Sequence, residues 1–236
     1  MILTMLGVNG PYPSAKGACS GYLLTSDSGR TKILIDCGSG VLGRLLNECT
    51  VRDIGAVILS HLHFDHMSDM LPMNYLIQAA GMECLKVFCP RTPDKVRRIL
   101  EGGVLDLYLM EDTVIGEMKI EFLPVSHPVE AYAVRVQCDG KTFVYTSDTN
   151  ECAALTLFSD DADLLLADAG LLLDDWTIKK PHMTPGMCAR LARDARAKML
   201  VLTHINPVYN AEAVLDEAIT DYPDAIVARA GLRINI

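Results

Sequence analysis

The residues with the clearest potential for chemistry are histidines, and half of them are clustered. The chain has only six histidines in 236 residues, and three of them, His61, His63 and His66, lie with Asp65 in the segment LSHLHFDHMSDM. Helical zinc motifs place two histidines four residues apart, on one helix face. A spacing of two instead fits an extended loop after a strand, where alternate side chains point to one side. Imidazole and carboxylate suit zinc, iron or manganese, so the segment predicts a metal site.

The remaining histidines lie where distant parts of the chain can meet. His127 follows the apolar run EFLPVS, His204 follows KMLVLT, and His182 precedes a predicted helix. Asp148 follows TFVYTS in the same way. Strand ends at one edge of a sheet are where α/β proteins gather functional side chains. A single histidine after a strand is usually a solvated polar residue, but the cluster at 61–66 makes ligation by these strand-end residues a reasonable expectation.

The elements that must position these residues alternate between strand and helix periodicity. Strands are predicted for MILTMLGV, SGYLLTS, TKILIDCG, GAVILS, CLKVFC, MKIEFLPV, AYAVRVQCDG, KTFVYTSD, ADLLLAD, KMLVLT, AIVAR and LRINI. Helices are predicted for VLGRLLNEC, Ser68–Ala80, TPDKVRRILEG, Glu151–Ser159, Pro185–Ala197 and Ala211–Asp221. The predicted helix N-caps are Ser68, Thr92, Thr184 and Asn210. The pair Asp139-Gly140 predicts a tight hairpin turn. We therefore predict one α/β domain over residues 1–236, built from two sheet-and-helix halves.

The net charge and the lengths of the apolar runs argue against two classes of partner, duplex DNA and membranes. The net charge is −9, so duplex DNA, whose binding rests on many lysine and arginine contacts to phosphate, is repelled on average. A small anion can still bind at a local positive centre. No apolar run reaches about 18 residues, and the opening residues lack a basic segment before an apolar stretch. We expect a cytoplasmic protein that does not span or bind a membrane.

The cysteines point to reduced thiols. The chain has eight of them, scattered, with no C-x-x-C pair and no zinc-finger spacing. In the absence of an export signal, we expect buried free thiols rather than disulfides. Cys37, Cys152 and Cys188 have no histidine to spare as a partner, which argues against a thiolate nucleophile.

The motif HLHFDH matches the H-x-H-x-D-H signature of the metallo-β-lactamase-fold hydrolases, and the chain resembles that family over essentially its whole length. The segments KILIDCGSG, VILSHLHFDH, PVSHPVEAYAVRV, FVYTSDT, KPHMT and LVLTHINP occur in the family's order. The resemblance implies a four-layer αβ/βα sandwich with two pseudo-symmetric halves and a binuclear metal site. It says little about the substrate.

The resemblance also implies a role for each matching residue. The first ion would be held by His61, His63 and His127, the second by Asp65, His66 and His204, and both by Asp148 as a bridge. Zinc is the expected metal, with manganese or iron as alternatives. The catalytic residues would be Asp65 and His182, the latter because it looks like the extra histidine of the ribonuclease Z-like branch. Asp36, which ends a strand, is expected to orient a ligand histidine rather than to bind metal.

Two departures from the family pattern bear on the turn and the substrate. Ser147-Asp148-Thr149 stands where the family usually has Gly-Asp-Thr, which keeps the aspartate and leaves the shape of the turn open. Ribonuclease Z enzymes carry a long arm, rich in glycine and proline, that grips tRNA between the positions matching His127 and Asp148. Here only twenty residues separate those positions, and a predicted hairpin fills them. We therefore expect that tRNA is not the substrate.

Charge arithmetic gives the expected chemistry. Two divalent ions bring four positive charges, Asp65 and Asp148 bring two negative ones, and neutral imidazoles bring none. Such a centre attracts an anionic ester and lowers the pKa of a bridging water toward neutrality. The resulting hydroxide would attack phosphorus or a carbonyl carbon, while His182 protonates the leaving group. We expect a phosphodiesterase that acts on a small or single-stranded phosphodiester.

Other functions remain open from the residues alone. The same site could hydrolyse a lactone, a thioester or a carboxylic ester, could be a di-iron redox centre, or could bind metal without catalysis. Lys179 and Lys180 precede His182 and could touch a phosphate, although such a pair is more often a solvated loop. The expected partner is a small anionic ester, and the resemblance leaves a homodimer open.

Overall fold

A computed structural model describes all 236 residues, which form fourteen strands and seven α-helices. The strands are β1 (Ile2–Gly7), β2 (Gly21–Thr25), β3 (Lys32–Ile35), β4 (Ala56–Ile58), β5 (Leu85–Phe88), β6 (Leu105–Tyr108), β7 (Thr113–Ile115), β8 (Met118–Pro124), β9 (Tyr132–Cys138), β10 (Lys141–Tyr145), β11 (Leu164–Asp168), β12 (Leu200–Thr203), β13 (Ile226–Val227) and β14 (Arg233–Asn235). The helices are α1 (Val41–Leu45), α2 (Phe64–Met67), α3 (Met70–Ala79), α4 (Asp94–Arg97), α5 (Ala154–Phe158), α6 (Pro185–Asp194) and α7 (Ala211–Ala218).

The strands form two seven-stranded sheets. The first is built from β1 to β6 with the C-terminal strand β14, and the second from β7 to β13. The first has the order β14-β1-β2-β3-β4-β5-β6 and the second the order β13-β12-β11-β10-β9-β8-β7. In each sheet a run of antiparallel neighbours continues into parallel ones, from β3 to β6 and from β10 to β13. The C-terminal strand β14 pairs with β1, so the last residues of the chain complete the sheet of the first half.

Alternating side chains of each sheet bury two different faces, which produces four layers. Tyr22 in β2 and Phe143 in β10 lie in one core between the sheets. Leu34 in β3 faces the other way and packs in a second core with α1 and α3. Leu165 in β11 does the same in a third core with α6 and α7. This period of two in strands buried on both faces gives the helix, sheet, sheet, helix sandwich that the sequence predicts.

The candidate functional residues follow strands that end at one edge of the sandwich. In the first sheet β3 and β4 run parallel and lead into Asp36 and into the segment that begins at His61. In the second sheet β10, β11 and β12 run parallel and lead into Asp148, Asp168 and His204. Because parallel strands place their carboxyl ends at the same edge, residues far apart in sequence meet there.

The helix around the histidine cluster differs from the sequence prediction. It is two helices, α2 and α3, and Ser68 lies between them as the C-cap of α2, so the prediction of Ser68 as an N-cap is wrong. Asp69 is the N-cap of α3, but its carboxylate does not cap that helix. Its Oδ2 instead accepts a hydrogen bond of 2.9 Å from the backbone N–H of Leu42, in the first turn of α1. A tertiary contact has therefore replaced the local cap.

A second predicted cap is also wrong, again because of a tertiary contact. The N-cap of α4 is Pro93 and not Thr92. The backbone N–H and hydroxyl of Thr92 donate to Glu130 Oε2 over 2.8 and 3.0 Å, so its side chain is not available to the helix. The other two predicted caps are confirmed, since Thr184 accepts from Met187 N and Asn210 accepts from Glu212 N.

Strands β6 and β7 were not predicted, because each is short and lies at a sheet edge next to glycine or acidic residues. The hairpin turn between β9 and β10 is confirmed, with positive φ at both Asp139 (54°) and Gly140 (71°). All eight cysteines are free, and five are buried, whereas Cys84 is exposed. None of the helices has the length and apolar character needed to cross a membrane.

Candidate metal centre

The three histidines assigned to the first ion come together at the edge of the two sheets. His61 Nε2 lies 3.1 Å from His63 Nδ1, and His127 Nε2 also lies 3.1 Å from His63 Nδ1. Nitrogens bound about 2.0–2.1 Å from a tetrahedral zinc ion are separated by roughly 3.3 Å. The spacing of these three nitrogens therefore fits the donor set of one tetrahedral ion.

The residues assigned to the second ion also come together. His204 Nε2 lies 3.2 Å from Asp65 Oδ2, and His66 Nε2 lies 3.6 Å from the same oxygen. Asp148 Oδ2 lies 3.1 Å from His204 Nε2, 3.3 Å from His66 Nε2 and 3.7 Å from His61 Nε2. Asp148 thus joins both groups, as expected for a bridging carboxylate. The donors of each group lie within 4.8 Å of one another.

The buried polar atoms at the centre support a cation there. His66 Nε2 and Asp148 Oδ1 are buried and have no hydrogen-bond partner. Burial raises the pKa of Asp148, but His204 and His66 lower it well below its ordinary value, so the group is a carboxylate. Buried polar atoms without a hydrogen-bond partner cost on the order of 1–3 kcal/mol each in a protein interior. Divalent cations would satisfy both atoms, so the residues present fit the metals that the fold implies.

Two of the imidazoles, those of His61 and His127, are held in the neutral form that binds metal. Burial lowers the pKa of His127 to about 4 and, together with His66, holds the pKa of His61 well below its usual value. These two rings are therefore neutral at pH 7. Each also has its other nitrogen engaged, His127 Nδ1 donating to Pro181 O at 3.3 Å and His61 Nδ1 lying 3.2 Å from Ser60 Oγ. Such contacts fix the tautomer that leaves Nε2 free as a ligand.

Asp36 contacts His66, one of the histidines assigned to the second ion, where the sequence predicts a carboxylate that orients a ligand. Its Oδ2 lies 2.8 Å from His66 Nδ1 and accepts from the hydroxyls of Ser60 (2.9 Å) and Tyr145 (3.1 Å), while Oδ1 accepts from the Ser60 N–H (2.7 Å). Burial lowers the pKa of His66, but the carboxylates of Asp148 and Asp36 raise it well above its ordinary value. The carboxylates of Asp148 and Asp36 therefore stabilise a positive charge near His66, and a divalent ion can supply that charge.

Asp168 is a site residue that the sequence analysis missed. Its Oδ2 lies 2.9 Å from His182 Nδ1 and accepts from the Thr149 N–H at 3.0 Å. Burial lowers the pKa of His182, but Asp168 more than offsets this effect and raises it to about 9. Asp168 ends strand β11, as Asp36 follows β3, and this repeated pattern of a strand ending in aspartate was the signal that could have found it.

His182 lies beside the metal-binding residues without sharing their nitrogen geometry. Its ring stacks on that of His204, with centroids 4.8 Å apart, and meets His127 edge-on at 5.8 Å. Its Nδ1 is bound to Asp168 and lies 3.8 Å from Asp148 Oδ2. His182, Asp168, Asp148 and His204 also place donor atoms close together, and the shortest contact of the His182 ring is the one of 2.9 Å from Nδ1 to Asp168 Oδ2.

The backbone is strained at the centre. Asp36, Ser147 and His204 have φ values of 57°, 59° and 57°, in the left-handed region that non-glycine residues rarely adopt. Ser147, which stands where the family usually has glycine, therefore adopts a conformation that glycine reaches without steric cost. A Cβ at Gly10 would overlap the imidazole of His204, so only glycine allows this loop to lie against that ring.

A small cavity of about 210 Å³ opens beside His127 and includes Lys179 and Lys180 in its wall. A larger cavity, about 670 Å³, is lined mainly by residues 46–53, which follow α1, and by Leu76 of α3, and contains none of the histidines. The candidate site is therefore identified by its metal-binding side chains and not by the volume of its cavity. The segment between His127 and Asp148 contains only the β9–β10 hairpin and no inserted arm.

Comparison with known proteins agrees with this geometry. Residues 31–205 match the beta-lactamase superfamily domain. The probable metallo-hydrolase YhfI of Bacillus subtilis (strain 168) is 32% identical, with 87% of each chain covered. The crystal structure of YhfI, a metallo-beta-lactamase fold protein, superposes with a TM-score of 0.92 at 30% identity, over 99% of both chains. Ribonuclease Z of Methanopyrus kandleri is 25% identical over 100% of this chain and 98% of its own.

Proposed function

The chain belongs to the beta-lactamase superfamily and is a metallo-hydrolase with the metallo-β-lactamase fold, and on that premise we propose that it is a binuclear phosphodiesterase acting on a small or single-stranded phosphodiester. The observation that carries the proposal is the Asp168–His182 pair beside the candidate metal centre. It offers a protonated group for a leaving oxygen. The relation to a ribonuclease Z supports phosphodiester chemistry.

The metal-binding residues would be His61, His63, Asp65, His66, His127, Asp148 and His204, with Asp148 shared between two divalent ions, most simply zinc. When bound, the two ions would activate a water molecule and neutralise charge that develops on the ester. Only two of the seven side chains carry negative charge, so the loaded site keeps an excess of positive charge. That excess favours an anionic ester over a neutral one, even on a chain of net charge −9.

His182 would act as the general acid. With its pKa raised to about 9, the imidazolium is the main form at neutral pH and has a proton for the leaving oxygen. Asp168 would keep the ring in place through Nδ1, which leaves Nε2 as the nitrogen that faces substrate. Asp65 would bind the second ion together with His204, whose Nε2 lies 3.2 Å from Asp65 Oδ2. The proposed catalytic role of Asp65 is to orient the attacking water.

The substrate is proposed to be smaller than tRNA and not duplex nucleic acid. The short β9–β10 hairpin stands where a gripping arm would be needed. The net negative charge of the chain weakens binding to a long polyanion, because such binding depends on many phosphate contacts. A small ester needs only the local positive charge of the centre.

A substrate panel tests the proposal. Protein loaded separately with zinc, manganese and iron should hydrolyse an activated aryl phosphodiester faster than a lactone or a thioester. His182→Ala should lower kcat by about 10²–10⁴-fold, the usual contribution of a general acid, without loss of bound metal. Turnover of lactones or thioesters in place of phosphodiesters would replace the proposed substrate class, and turnover of none of the panel would reject the proposal.

A further inference from the structure

The small cavity beside His127 is lined by positively charged residues and by no negatively charged ones. Its wall includes Ser126, His127, Asn150, Lys179, Lys180 and Pro181, and no aspartate or glutamate contributes to it. Both lysines are exposed, and neither has a carboxylate within 4.0 Å. Three of the nine lysines, Lys119, Lys141 and Lys198, are paired with carboxylates, and the other six are not. Two adjacent lysines without an ion pair therefore line a cavity next to a candidate metal ligand. On an acidic chain this is a local positive field.

The loop that carries the two lysines is fixed in place. The buried side chain of Asn150 donates from Nδ2 to the carbonyl oxygens of Ile178 (3.2 Å) and Lys180 (2.6 Å). The next residue, Pro181, accepts from His127 Nδ1 at 3.3 Å. The lysine backbone is thus tied both to the segment after Asp148 and to the first metal group. Side chains on such a fixed loop can select a ligand group at a constant distance from the metal centre.

The size and charge of the cavity define the ligand. At about 210 Å³ it is smaller than the roughly 300–1,000 Å³ of pockets that enclose a whole drug-sized molecule, so it holds a group and not a complete substrate. Each lysine offers three N–H donors and one positive charge. Two of them match a terminal phosphate, which carries a charge of about −2 and three acceptor oxygens.

We propose that Lys179 and Lys180 form an anion subsite that binds a terminal, non-reacting phosphate of the substrate, next to the phosphodiester at the metal centre. This inference rests on the proposed function and adds to it the class of substrate: a short phosphodiester that carries a second phosphate. Hydrolysis breaks the diester at the metal centre, and the terminal phosphate stays unchanged in the subsite.

Two dinucleotides that differ only in the terminal phosphate test the subsite. Thymidylyl-thymidine with and without a 5′-phosphate should be titrated into metal-loaded His182→Ala protein, in which turnover is slowed enough for Kd to be measured. The phosphorylated form should bind about tenfold more tightly, as expected for charge-assisted hydrogen bonds. Adding Lys179→Ala and Lys180→Ala should remove this preference, whereas adding Lys95→Ala, at an exposed lysine without an ion-pair partner, should keep it.

Equal Kd values for the two dinucleotides, or a preference that survives the double lysine substitution, would overturn the subsite. Turnover by the protein with His182 intact is measured in parallel on the same pair. If neither dinucleotide is hydrolysed while the preference in Kd is present, the phosphodiesterase proposal fails and the anion subsite stands. The two proposals can therefore fail separately.

Discussion

At the scale of single residues, the acid–base behaviour of the site depends on Asp168. Its carboxylate lies 2.9 Å from His182 Nδ1, and the pKa of His182 is raised to about 9 although burial acts in the opposite direction. A group with a raised pKa keeps its proton at neutral pH and loses it as the pH rises through that value. If His182 is the general acid, activity should therefore fall on the alkaline side.

The pH profile of kcat tests this role. Metal-loaded protein should show an alkaline limb, that is, a fall of kcat with rising pH as His182 loses the proton that Asp168 helps to hold. Asp168→Asn keeps an oxygen that can accept from Nδ1 but removes the charge, so burial should then move the limb below the ordinary histidine pKa of about 6.5. Metal content is measured on both proteins as the control, because Asp168 Oδ1 also lies 3.6 Å from His204 Nδ1. If the fall of kcat at alkaline pH is unchanged in Asp168→Asn, a group other than His182 is responsible for it.

Backbone strain at single residues is also concentrated at the candidate metal centre. Asp36, Ser147 and His204 each follow a strand and have φ in the left-handed region. Such conformations cost of order 1–3 kcal/mol each and persist only where the surroundings hold them. Here the surroundings are a network of buried hydrogen bonds, with Asp36 held by Ser60 and Tyr145.

At the scale of elements, the histidine segment is held by helices that support one another. The carboxylate of Asp69 joins the start of α3 to the first turn of α1 by accepting from Leu42 N. Gly40, the N-cap of α1, has no side chain to do this. The carboxylate therefore serves as a cap supplied from another helix, at an end where negative charge is favoured.

Replacing Asp69 measures the value of this contact. Asp69→Ala should lower the free energy of unfolding by about 1 kcal/mol, the typical loss of an N-cap. Asp69→Asn, whose amide oxygen can still accept the Leu42 N–H, should lose less. Urea denaturation of both variants gives the difference. Equal stability of the alanine variant and the original protein would mean that water replaces the carboxylate without cost.

At the scale of the whole molecule, the candidate metal centre joins the two halves. The residues His61, His63, Asp65 and His66 follow β4 of the first sheet, whereas His127, Asp148 and His204 follow strands of the second sheet. Ions bound by both groups would act as cross-links between the sheets. Their binding free energy would then contribute to the stability of the folded chain, because the unfolded chain has no such arrangement.

Metal removal should therefore destabilise the whole molecule. At a free metal concentration of 1,000 times Kd, binding contributes about 4 kcal/mol, which for a chain of this length corresponds to roughly 10 °C in Tm. We expect chelation to lower Tm by this order. His182→Ala should keep the metal-dependent shift, while Asp148→Ala should lose most of it. A Tm that does not respond to chelation would argue against metal binding across the two halves.

The sequence by itself determined the fold family, and it predicted seven side chains whose donor atoms the structure brings close together. Motif spacing, strand ends followed by histidine or aspartate, and the match to H-x-H-x-D-H are all local features that can be recognised one segment at a time. The caps at Thr184 and Asn210 and the Asp139-Gly140 turn were predictable for the same reason, since their hydrogen bonds and dihedral angles lie within a few residues.

Only the tertiary structure decided which residues act on one another across the chain. Asp69 caps a helix 27 positions away and Thr92 binds Glu130, so local cap rules failed at Ser68 and Thr92. Asp168 meets His182 because α/β topology brings a strand end and a loop to one edge. The physical reason is the same in each case: a side-chain donor or acceptor takes the partner that folding places within about 3 Å, whatever its distance along the chain.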